Sequence, residues 1–399
     1  MASDALVPET RVLAIASHVV HGYVGNKMAT CVMQAMGCDV SAINTVHYSN
    51  HTAYKQVKGT KTTAAELEQL YEGLRQSNLT NFDVLLTGYV PSADAVRAVG
   101  KIGRDIKFNA GTKPGSFFWA VLDPVMGDNG KLYIPEDEVP EYKRLLREAD
   151  LILPNQFEAE TLSEIPIHDL ASLARAIHVL HSTYRVPHVI ITSLRLTRDN
   201  QIPSSRPVTQ PHTPSAEAAD PLSSPPPPPP HSPAHEHDQV ETLTIIGSTA
   251  TSDFKPRLFR IDTPALPLFF SGTGDMFAAL TVPRLIEAVS TSPSEQNLRN
   301  TPSWRSPDDV AAEDLPLAAA CQKVLASMQA VLGKTAESCR AKMDAFDDAA
   351  ARAGGGESET KRHLALMNAS EVVVPRHVRD LLEPPHLERF RPRAVTVAI

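Results

Sequence analysis

The sequence predicts an α/β protein with three layers, in which a mainly parallel central sheet carries helices on both faces. Short apolar runs rich in β-branched residues alternate along the chain with segments whose apolar residues recur at helical spacing. Polar residues follow most of the apolar runs, as expected where ligands bind at the carboxyl ends of parallel strands. A chain of 399 residues, 42% of them hydrophobic, is long enough to bury the core that this fold needs.

The first strand is predicted over residues 12–16, a short and uninterrupted apolar run. A helix over 24–36 follows and ends at Gly37, a residue type common at helix C-termini. A second strand over 40–46 precedes a helix over 63–76. That helix is predicted to place four apolar side chains on one face: Leu67, Leu70, Tyr71 and Leu74.

The same alternation continues through the rest of the chain. Further strands are predicted over 84–87, 117–122, 151–153 and 189–192, and further helices over 93–106, 138–147, 156–162 and 170–183. Two later runs, 242–246 and 257–261, are typical of a hairpin pair. Helices over 274–288 and 315–345 complete the predicted elements.

Three stretches depart from this pattern. Residues 197–238 are rich in Pro, Ser and His and include unbroken proline over 225–230, so we predict a disordered insertion there. Residues 290–314 and 346–362 are predicted to be polar insertions. Because added length at a loop costs little closure entropy, we expect all three to interrupt a single domain over 1–399.

The bulk properties narrow the function classes and the compartment. A net charge of −8 and a pI of about 6.0 argue against a general nucleic-acid binder. The four cysteines form no C-x-x-C pair, and no apolar run approaches the length of a membrane span. The N-terminus shows no secretory signal pattern. We therefore expect a protein of the cytoplasm, with the nucleus as an alternative, and neither nucleic acid nor membrane as a partner.

The most informative segment is 270–279, Phe-Ser-Gly-Thr-Gly-Asp-Met-Phe-Ala-Ala. Gly272 and Gly274 let the backbone approach a ligand closely on either side of Thr273. A helix that begins here leaves N–H groups unpaired, and they attract an anion. Asp275 would face that anion, which suits a base that takes a proton from a hydroxyl while the N–H groups hold a phosphoryl group. A glycine turn with an acidic first-turn residue is the structural alternative.

Two acidic segments follow predicted strands. Asp123 and Asp128 flank a Pro- and Gly-containing turn, and two carboxylates near a phosphate usually indicate Mg²⁺. Acids that cap turns are the alternative. Asn155 and Glu158 follow the strand at 151–153 and would lie by the metal and the phosphates, or would form a helix capping box.

Hydrogen-bonding residues follow the remaining strands. Thr192 and Ser193 could donate to a phosphate oxygen. Ser17 could donate to a polar ring atom or bond the backbone of its own turn. The loop over 49–54 is dense in polar groups and suits a small polar substrate, or is a polar surface loop. Tyr89 could stack on a flat ring or cap the core.

No P-loop motif, no glycine-rich dinucleotide motif after the first strand and no protein-kinase motif set occur in the chain. Taken together, the segments above resemble the ribokinase-like superfamily and, within it, the pyridoxal kinase family. The matching segments are 17–19, 22–26, 49–52, 86–89, 123–128, 154–160 and 272–275. The resemblance covers residues 11–195 almost continuously and then 257–288.

The resemblance implies an enzyme that transfers a phosphoryl group from ATP to the 5′-hydroxymethyl group of pyridoxal, pyridoxine and pyridoxamine. It also implies Mg²⁺, a monovalent cation such as K⁺, and a homodimer. Asp275 would be the base, and the N–H groups of Gly272, Thr273 and Gly274 would form the anion hole.

The remaining roles are implied in the same way. Ser17 and Thr52 would hold polar atoms of the pyridine ring, and Tyr89 would pack against it. Asp123, Asp128, Asn155 and Glu158 would organise Mg²⁺ and the phosphates of ATP. Four further residues would contact the nucleotide: Thr192 and Ser193 at phosphate oxygens, Tyr133 near the triphosphate, and Leu266 near the base and ribose.

The chain departs from the family at four places. Leu153 stands where the family often has a threonine, and the nucleotide loop at 262–267 is rich in proline. The insertion at 197–238 and the C-terminal additions are long for the family. Two other functions stay open: a related kinase for another hydroxymethyl heterocycle, such as hydroxymethylpyrimidine, and a catalytically dead B6-binding protein. The presence of Asp275 with its glycines argues against the second.

Overall fold

A ten-stranded sheet forms the centre of the computed structural model, which describes residues 6–112, 117–197, 199–203, 242–291, 298–353 and 358–397. Its strands are β1 (Arg11–Val19), β2 (Asp39–Tyr48), β3 (Gly59–Lys61), β4 (Val84–Thr87), β5 (Trp119–Leu122), β8 (Leu151–Ile152), β9 (His188–Leu194), β10 (Thr242–Ala250), β11 (Pro256–Pro264) and β12 (Arg393–Val395). A small separate hairpin consists of β6 (Gly127–Asp128) and β7 (Lys131–Leu132).

The strand order is β12-β11-β10-β9-β8-β5-β4-β1-β2-β3. The six strands from β9 to β2 in this order run parallel to one another, whereas β3 at one edge and β10, β11 and β12 at the other are antiparallel to their neighbours. The carboxyl ends of the parallel strands therefore meet at one edge of the sheet, where the loops that follow them come together.

Helices cover both faces of the sheet. They are α1 (Gly25–Ala35), α2 (Ala64–Gln76), α3 (Ala93–Gly111), α4 (Val139–Leu145), α5 (Gln156–Ser163), α6 (Leu170–Thr183), α7 (Thr273–Thr291), α8 (Pro316–Arg352), α9 (Glu359–Ala369) and α10 (Val378–Leu382). One apolar core joins α1, α7 and α8 to the sheet, and a second joins α2 to α6 to its opposite face. The predicted three-layer α/β class is confirmed.

Each strand and helix predicted from the sequence is present, with ends that differ by a few residues. The unpredicted elements are short or polar: β3, the β6–β7 hairpin, β12, α9 and α10. Such segments carry too few apolar residues for a periodic signal. Of the apolar residues predicted on one face of α2, Leu70 is 53% exposed while Leu67 and Tyr71 are buried. Helix α2 thus buries a narrower stripe than its sequence pattern predicts.

Of the predicted polar insertions, the described parts are ordered against the domain. Trp304 is buried, stacks on the His188 ring at 4.4 Å and packs on Trp119 at 4.3 Å. Helix α8 continues to Arg352 and α9 begins at Glu359, so both borders of the third stretch are helical. A single buried tryptophan does not alter the polar average of a 25-residue window, and this is why composition did not reveal the packing.

Most of the proline-rich stretch, residues 204–241, lies outside the described residues. No helix in the described ranges is both apolar enough and long enough to cross a lipid bilayer.

Candidate active site

The sequence-predicted site residues converge at the carboxyl edge of the sheet. Gly88 after β4 donates its N–H to the carbonyl of Ile15 in β1 at 3.0 Å, and Asp123 after β5 donates to Thr87 at 2.9 Å. Thr192 near the end of β9 donates to Pro154 at 3.1 Å. These backbone bonds extend the ladder beyond the strands and set the following loops side by side.

Helix α7 points its N-terminus into this edge. Its first intrahelical bond runs from the Met276 N–H to the Gly272 carbonyl at 2.9 Å, so the N–H groups of residues 273–275 have no partner earlier in the helix. Gly272 has φ +80, and a side chain there would meet the Tyr23 carbonyl oxygen at 2.5 Å. Only glycine fits, and the result is an open N-terminus suited to an anion.

Asp275 lies in the first turn of α7 and is half-buried. Burial raises the pKa of its carboxyl group to about 6, opposed by a hydrogen bond that the Gly25 N–H donates to it. Gly88 lies beside it, since a Cβ on Gly88 would be 4.0 Å from Asp275 Oδ1. A carboxylate with few hydrogen-bond partners and a raised pKa at the head of an anion-binding helix can accept a proton near neutral pH.

Asp123 lies on the other side of the start of α7. It is buried, and a Cβ on Gly274 would be 3.7 Å from its Oδ2. Burial and the nearby charges of Glu158 and Asp275 raise the pKa of Asp123 well above its usual range. No side chain or N–H in the described ranges forms a hydrogen bond or ion pair with its carboxylate. A buried acid between two other acids in this state fits a cation.

Glu158 is also buried, but its carboxylate is fully engaged. Its Oε2 accepts from the Asn155 N–H at 2.9 Å, and its Oε1 accepts from the N–H groups of Met126 at 2.9 Å and Gly127 at 3.4 Å. Asn155 returns a bond by accepting from the Glu158 N–H. This is the capping box that the sequence allowed as the structural alternative. Burial raises the pKa of Glu158 to about 8 even against these donors.

Asp128 lies apart from the other two acids. It is exposed, and both of its oxygens accept from Asn129, at 2.7 Å and 3.0 Å. The surrounding protein partly desolvates the Asp128 carboxyl group and so raises its pKa. The Asn129 N–H and the charge of Arg195 act in the opposite direction. Within the part of the chain that the structure describes, no three Asp, Glu, His or Cys side chains are grouped as a metal-binding set. Glu158 and Asp128 therefore do not join Asp123 in a preformed cage.

The predicted nucleotide contacts line the far side of the same edge. Thr192 forms an isolated parallel β-bridge with Asn155, and Ser193 is exposed and has a φ of +58. Tyr133 lies near Asp128 and Glu158. Burial raises the pKa of the Tyr133 hydroxyl, and the charges of these two acids raise it further. Leu266 lies apart from these four, partly buried in the segment between β11 and α7.

The predicted ring contacts surround the ends of β1, β2 and β4. Ser17 lies within β1 rather than after it, at the point where the pairing of β1 with β2 shifts register. Thr52 begins a short 3₁₀ turn after β2. Tyr89 follows β4 and is partly buried against Val24 and its neighbours, and burial raises the pKa of its hydroxyl. In the strand order β9-β8-β5-β4-β1-β2, these three thus belong to the β4-β1-β2 part of the edge, whereas Asn155 follows β8 and Thr192 lies in β9.

Comparison with known proteins identifies the family of the chain. A family model described as phosphomethylpyrimidine kinase matches residues 30–205. The pyridoxal kinase of Sus scrofa is 33% identical over 339 residues, which is 84% of this chain and 85% of that protein. The chain belongs to the pyridoxal kinase family. The pyridoxal kinase of Homo sapiens is 43% identical over a shorter span of 179 residues, 44% of this chain and 56% of that protein.

Solved structures of the pyridoxal kinase family have the same fold. The pyridoxal kinase of Leishmania donovani in complex with ADP and pyridoxamine superposes with a TM-score of 0.67 at 26% identity, covering 98% of this chain and all of that one. The pyridoxal kinase of Trypanosoma brucei superposes with a TM-score of 0.63 at 24% identity, which shows the fold alone.

Some residues of this pyridoxal kinase site were not assigned a role from the sequence. Gly25 supplies the N–H bonded to Asp275, and Arg195 places a positive charge near Asp128. The glycine spacing at 22–25 is visible in the sequence, but the partner of Gly25 lies 250 residues away. Glu371, which contacts the loops after β1 and β2, carried no local signal at all.

Proposed function

We propose that the protein transfers the γ-phosphoryl group of ATP to the 5′-hydroxymethyl group of pyridoxal, pyridoxine and pyridoxamine. One observation carries the proposal most directly: Asp275 lies in the first turn at the open N-terminus of α7, and among the described residues its carboxylate accepts only from the Gly25 N–H. Base and anion-binding groups are thus placed together, as a phosphoryl transfer to a hydroxyl requires.

The chain's own groups divide the reaction between them. The Asp275 carboxylate takes the proton of the vitamer hydroxyl, whose oxygen forms the new bond to the γ-phosphorus. The bond between that phosphorus and the β,γ-bridging oxygen breaks, and its electron pair leaves with ADP. The N–H groups at Gly272, Thr273 and Gly274 hold the transferred group and offset its charge.

Asp123 is the residue that fits a metal, because its buried carboxylate lacks a partner among the described residues and lies near two other acids. Mg²⁺ usually takes one or two carboxylates and leaves its other positions to phosphates and water, so a preformed protein cage is not required. Asp128 and Glu158 would act beside Asp123, and K⁺ would be a further cation. Bound Mg²⁺ would neutralise phosphate charge.

Substrate binding follows the two sides of the site. On the vitamer side, Ser17 and Thr52 hold polar atoms of the pyridine ring and Tyr89 packs on it. The family resemblance assigns five residues to the nucleotide: Asn155, Thr192, Ser193, Tyr133 and Leu266. The similar Leishmania donovani protein carries ADP and pyridoxamine, one ligand of each kind, in its solved structure.

The protein acts as a homodimer in the cytoplasm. The family resemblance supports the dimer, and the four free cysteines support the compartment. Sedimentation of the purified protein tests the first statement, and microscopy of a tagged full chain tests the second.

A turnover assay with ATP and a panel of hydroxymethyl heterocycles tests the function. We expect turnover with the three B6 vitamers and little with hydroxymethylpyrimidine, the substrate class that the matching family model makes the second candidate. Preference for the pyrimidine would overturn the substrate assignment. Vitamer binding without any turnover would instead indicate a non-catalytic B6-binding protein.

A further inference from the structure

A buried carboxylate near the C-terminus contacts two loops of the site from outside. Glu371 follows α9 and is 9% exposed. Its Oε1 accepts from the Tyr54 hydroxyl at 3.0 Å and lies 3.2 Å from His51 Nε2. Both of these partners belong to the loop after β2, which also contains Thr52.

The same carboxylate abuts the loop after β1. Gly22 has φ +94, and a Cβ there would lie 2.7 Å from each oxygen of Glu371. The next residues of that loop reach the reaction centre, because the Tyr23 carbonyl packs against Gly272 and the Gly25 N–H bonds Asp275. Glu371 therefore connects, through one short loop, to the anion-binding turn.

Neighbours of Glu371 reinforce the contact. Asn368 Nδ2 lies 3.3 Å from His21 Nε2, and His363 Nε2 lies 2.9 Å from the Ala53 carbonyl. Both come from α9, so the helix and the residue after it cover the two loops together. His51 is itself buried, and its Nδ1 has no hydrogen-bond partner in the described ranges. With Nε2–H directed to Glu371, Nδ1 is left as an acceptor.

From these contacts we infer that Glu371 is a positioning residue for vitamer binding, which holds the loops 20–25 and 49–55 in the arrangement that receives the pyridine ring. It touches neither substrate nor reacting atoms. Without the Glu371 carboxylate both loops are disordered in the free protein, and vitamer binding must then order them again. The free energy needed to order the loops lowers the affinity for the vitamer. The affinity for ATP is not lowered, because ATP is bound on the far side of the site.

The first test compares Glu371→Ala with Glu371→Gln, and it rests on the proposed function. We expect Glu371→Ala to raise KM for pyridoxal about tenfold, the order expected when charge-assisted hydrogen bonds are lost, with KM for ATP changed less than twofold. Glu371→Gln keeps an acceptor for Tyr54 and His51 and should recover most of the affinity.

Asp380→Ala is the matched control, because Asp380 is a carboxylate in the same C-terminal segment that pairs with Lys334 at 2.6 Å and not with a residue of either loop. A second pair of variants avoids removal of Glu371. Gly22→Ala presses on the carboxylate and strains the loop backbone at φ +94, so it should reproduce the KM effect, whereas Gly73→Ala in α2 meets open space and should not. The inference would be overturned if Glu371→Ala raised KM for both substrates equally. It would also be overturned if Asp380→Ala changed KM for pyridoxal as much as Glu371→Ala does.

Hydrogen exchange keeps the test independent of catalysis. Amides over 20–25 and 49–55 should exchange faster in Glu371→Ala than in the wild type or Asp380→Ala, with the rest of the domain unchanged. If the wild type shows no vitamer kinase activity, the proposed function fails, but hydrogen exchange still tests whether Glu371 holds the two loops in place. Unchanged exchange in both loops would contradict this role of Glu371.

Discussion

Titratable groups are buried at both ends of the parallel strands, but the groups at the two ends differ in how completely they are hydrogen-bonded. At the amino end, His188 Nδ1 lies 2.9 Å from Thr249 Oγ1 and its Nε2 lies 2.6 Å from the Ser303 carbonyl. Asp150 beside it accepts from the Ala120 N–H and the Ser303 hydroxyl. At the carboxyl end, Asp123 has no partner among the described residues, and the Asp275 carboxylate has one N–H.

The difference shows that burial by itself does not mark a functional group. His188 and Asp123 are both at least nine-tenths buried, yet only the second lacks a partner within the described ranges. A buried group whose hydrogen bonds are complete stabilises one packing arrangement, whereas an incomplete one is stable only if a ligand supplies what is missing.

The largest effect is expected at Asp275. Asp275→Asn keeps the shape and the Gly25 contact but removes the base, so kcat should fall by ~10²-fold or more while ATP and pyridoxal still bind. Steady-state kinetics and equilibrium binding measure the two parts. Near-wild-type kcat would show that Asp275 is only a first-turn acid of the helix.

The pH dependence of kcat/KM should reveal the same group. The base must be ionised, and burial raises the pKa of Asp275 to about 6. Activity should therefore be full above this pH and fall about tenfold per pH unit below it. A pH–rate profile from 5 to 8 checks this. In Asp275→Asn the residual rate should lose that limb, and a limb that persists would belong to another group.

Glu158 and Asp123 provide the contrast within one site. Glu158→Gln exchanges an acceptor oxygen for a donor that faces backbone N–H groups, and should lower the free energy of unfolding by about 1–3 kcal/mol. Asp123→Asn removes a buried charge without a partner and should not destabilise the protein.

The Mg²⁺ dependence should rank these two variants in the opposite order. Asp123→Asn should raise the Mg²⁺ concentration for half-maximal rate about tenfold, and Glu158→Gln by less. Urea unfolding and Mg²⁺ titration of both variants provide the comparison. A stable Glu158→Gln protein with the larger Mg²⁺ demand would make Glu158 the ligand and not the cap.

The amino end should respond to acid. Burial lowers the pKa of His188 to about 3, so between the unfolded value of 6.5 and this pKa only the unfolded chain takes up the proton. Stability contributed by the neutral ring is present above pH 6.5 and declines by about 1.4 kcal/mol per pH unit as the pH falls. His188→Asn should be less stable at pH 7.5 but lose stability less steeply from pH 6 to 4.5. Parallel slopes in urea titrations would contradict this.

The smallest effect is expected in the proline-rich stretch. β9 and β10 are antiparallel neighbours, so the chain that joins them begins and ends at one side of the sheet. Replacing residues 205–240 with a short Gly/Ser linker should change stability by only on the order of 1 kcal/mol and leave pyridoxal turnover intact. Melting and turnover of the deletion variant check this. Lost turnover with a cooperative melt would place the stretch in the active site.

The sequence by itself determined the fold class, the order of the main elements and the residue types of the site. Periodicity of 2 and 3.6 separates strands from helices locally, and polar residues after each strand mark the ligand edge. The segment at 272–275 was legible for the same reason, since a glycine turn, a helix start and an acid lie within four residues. Short elements such as β12 and α10 offered no such period.

The tertiary structure decided which of the candidate acids are free to act. Asp123 and Glu158 are alike in the sequence, and only the folded chain shows that Glu158 is held by three N–H groups while Asp123 has no partner within the described residues. The Gly25 bond to Asp275 and the contact of Glu371 with His51 join residues hundreds of positions apart. Hydrogen bonding, desolvation and the charges of neighbouring groups depend on distances in space, which local sequence does not contain, and together they set the charge states of the acids in the site.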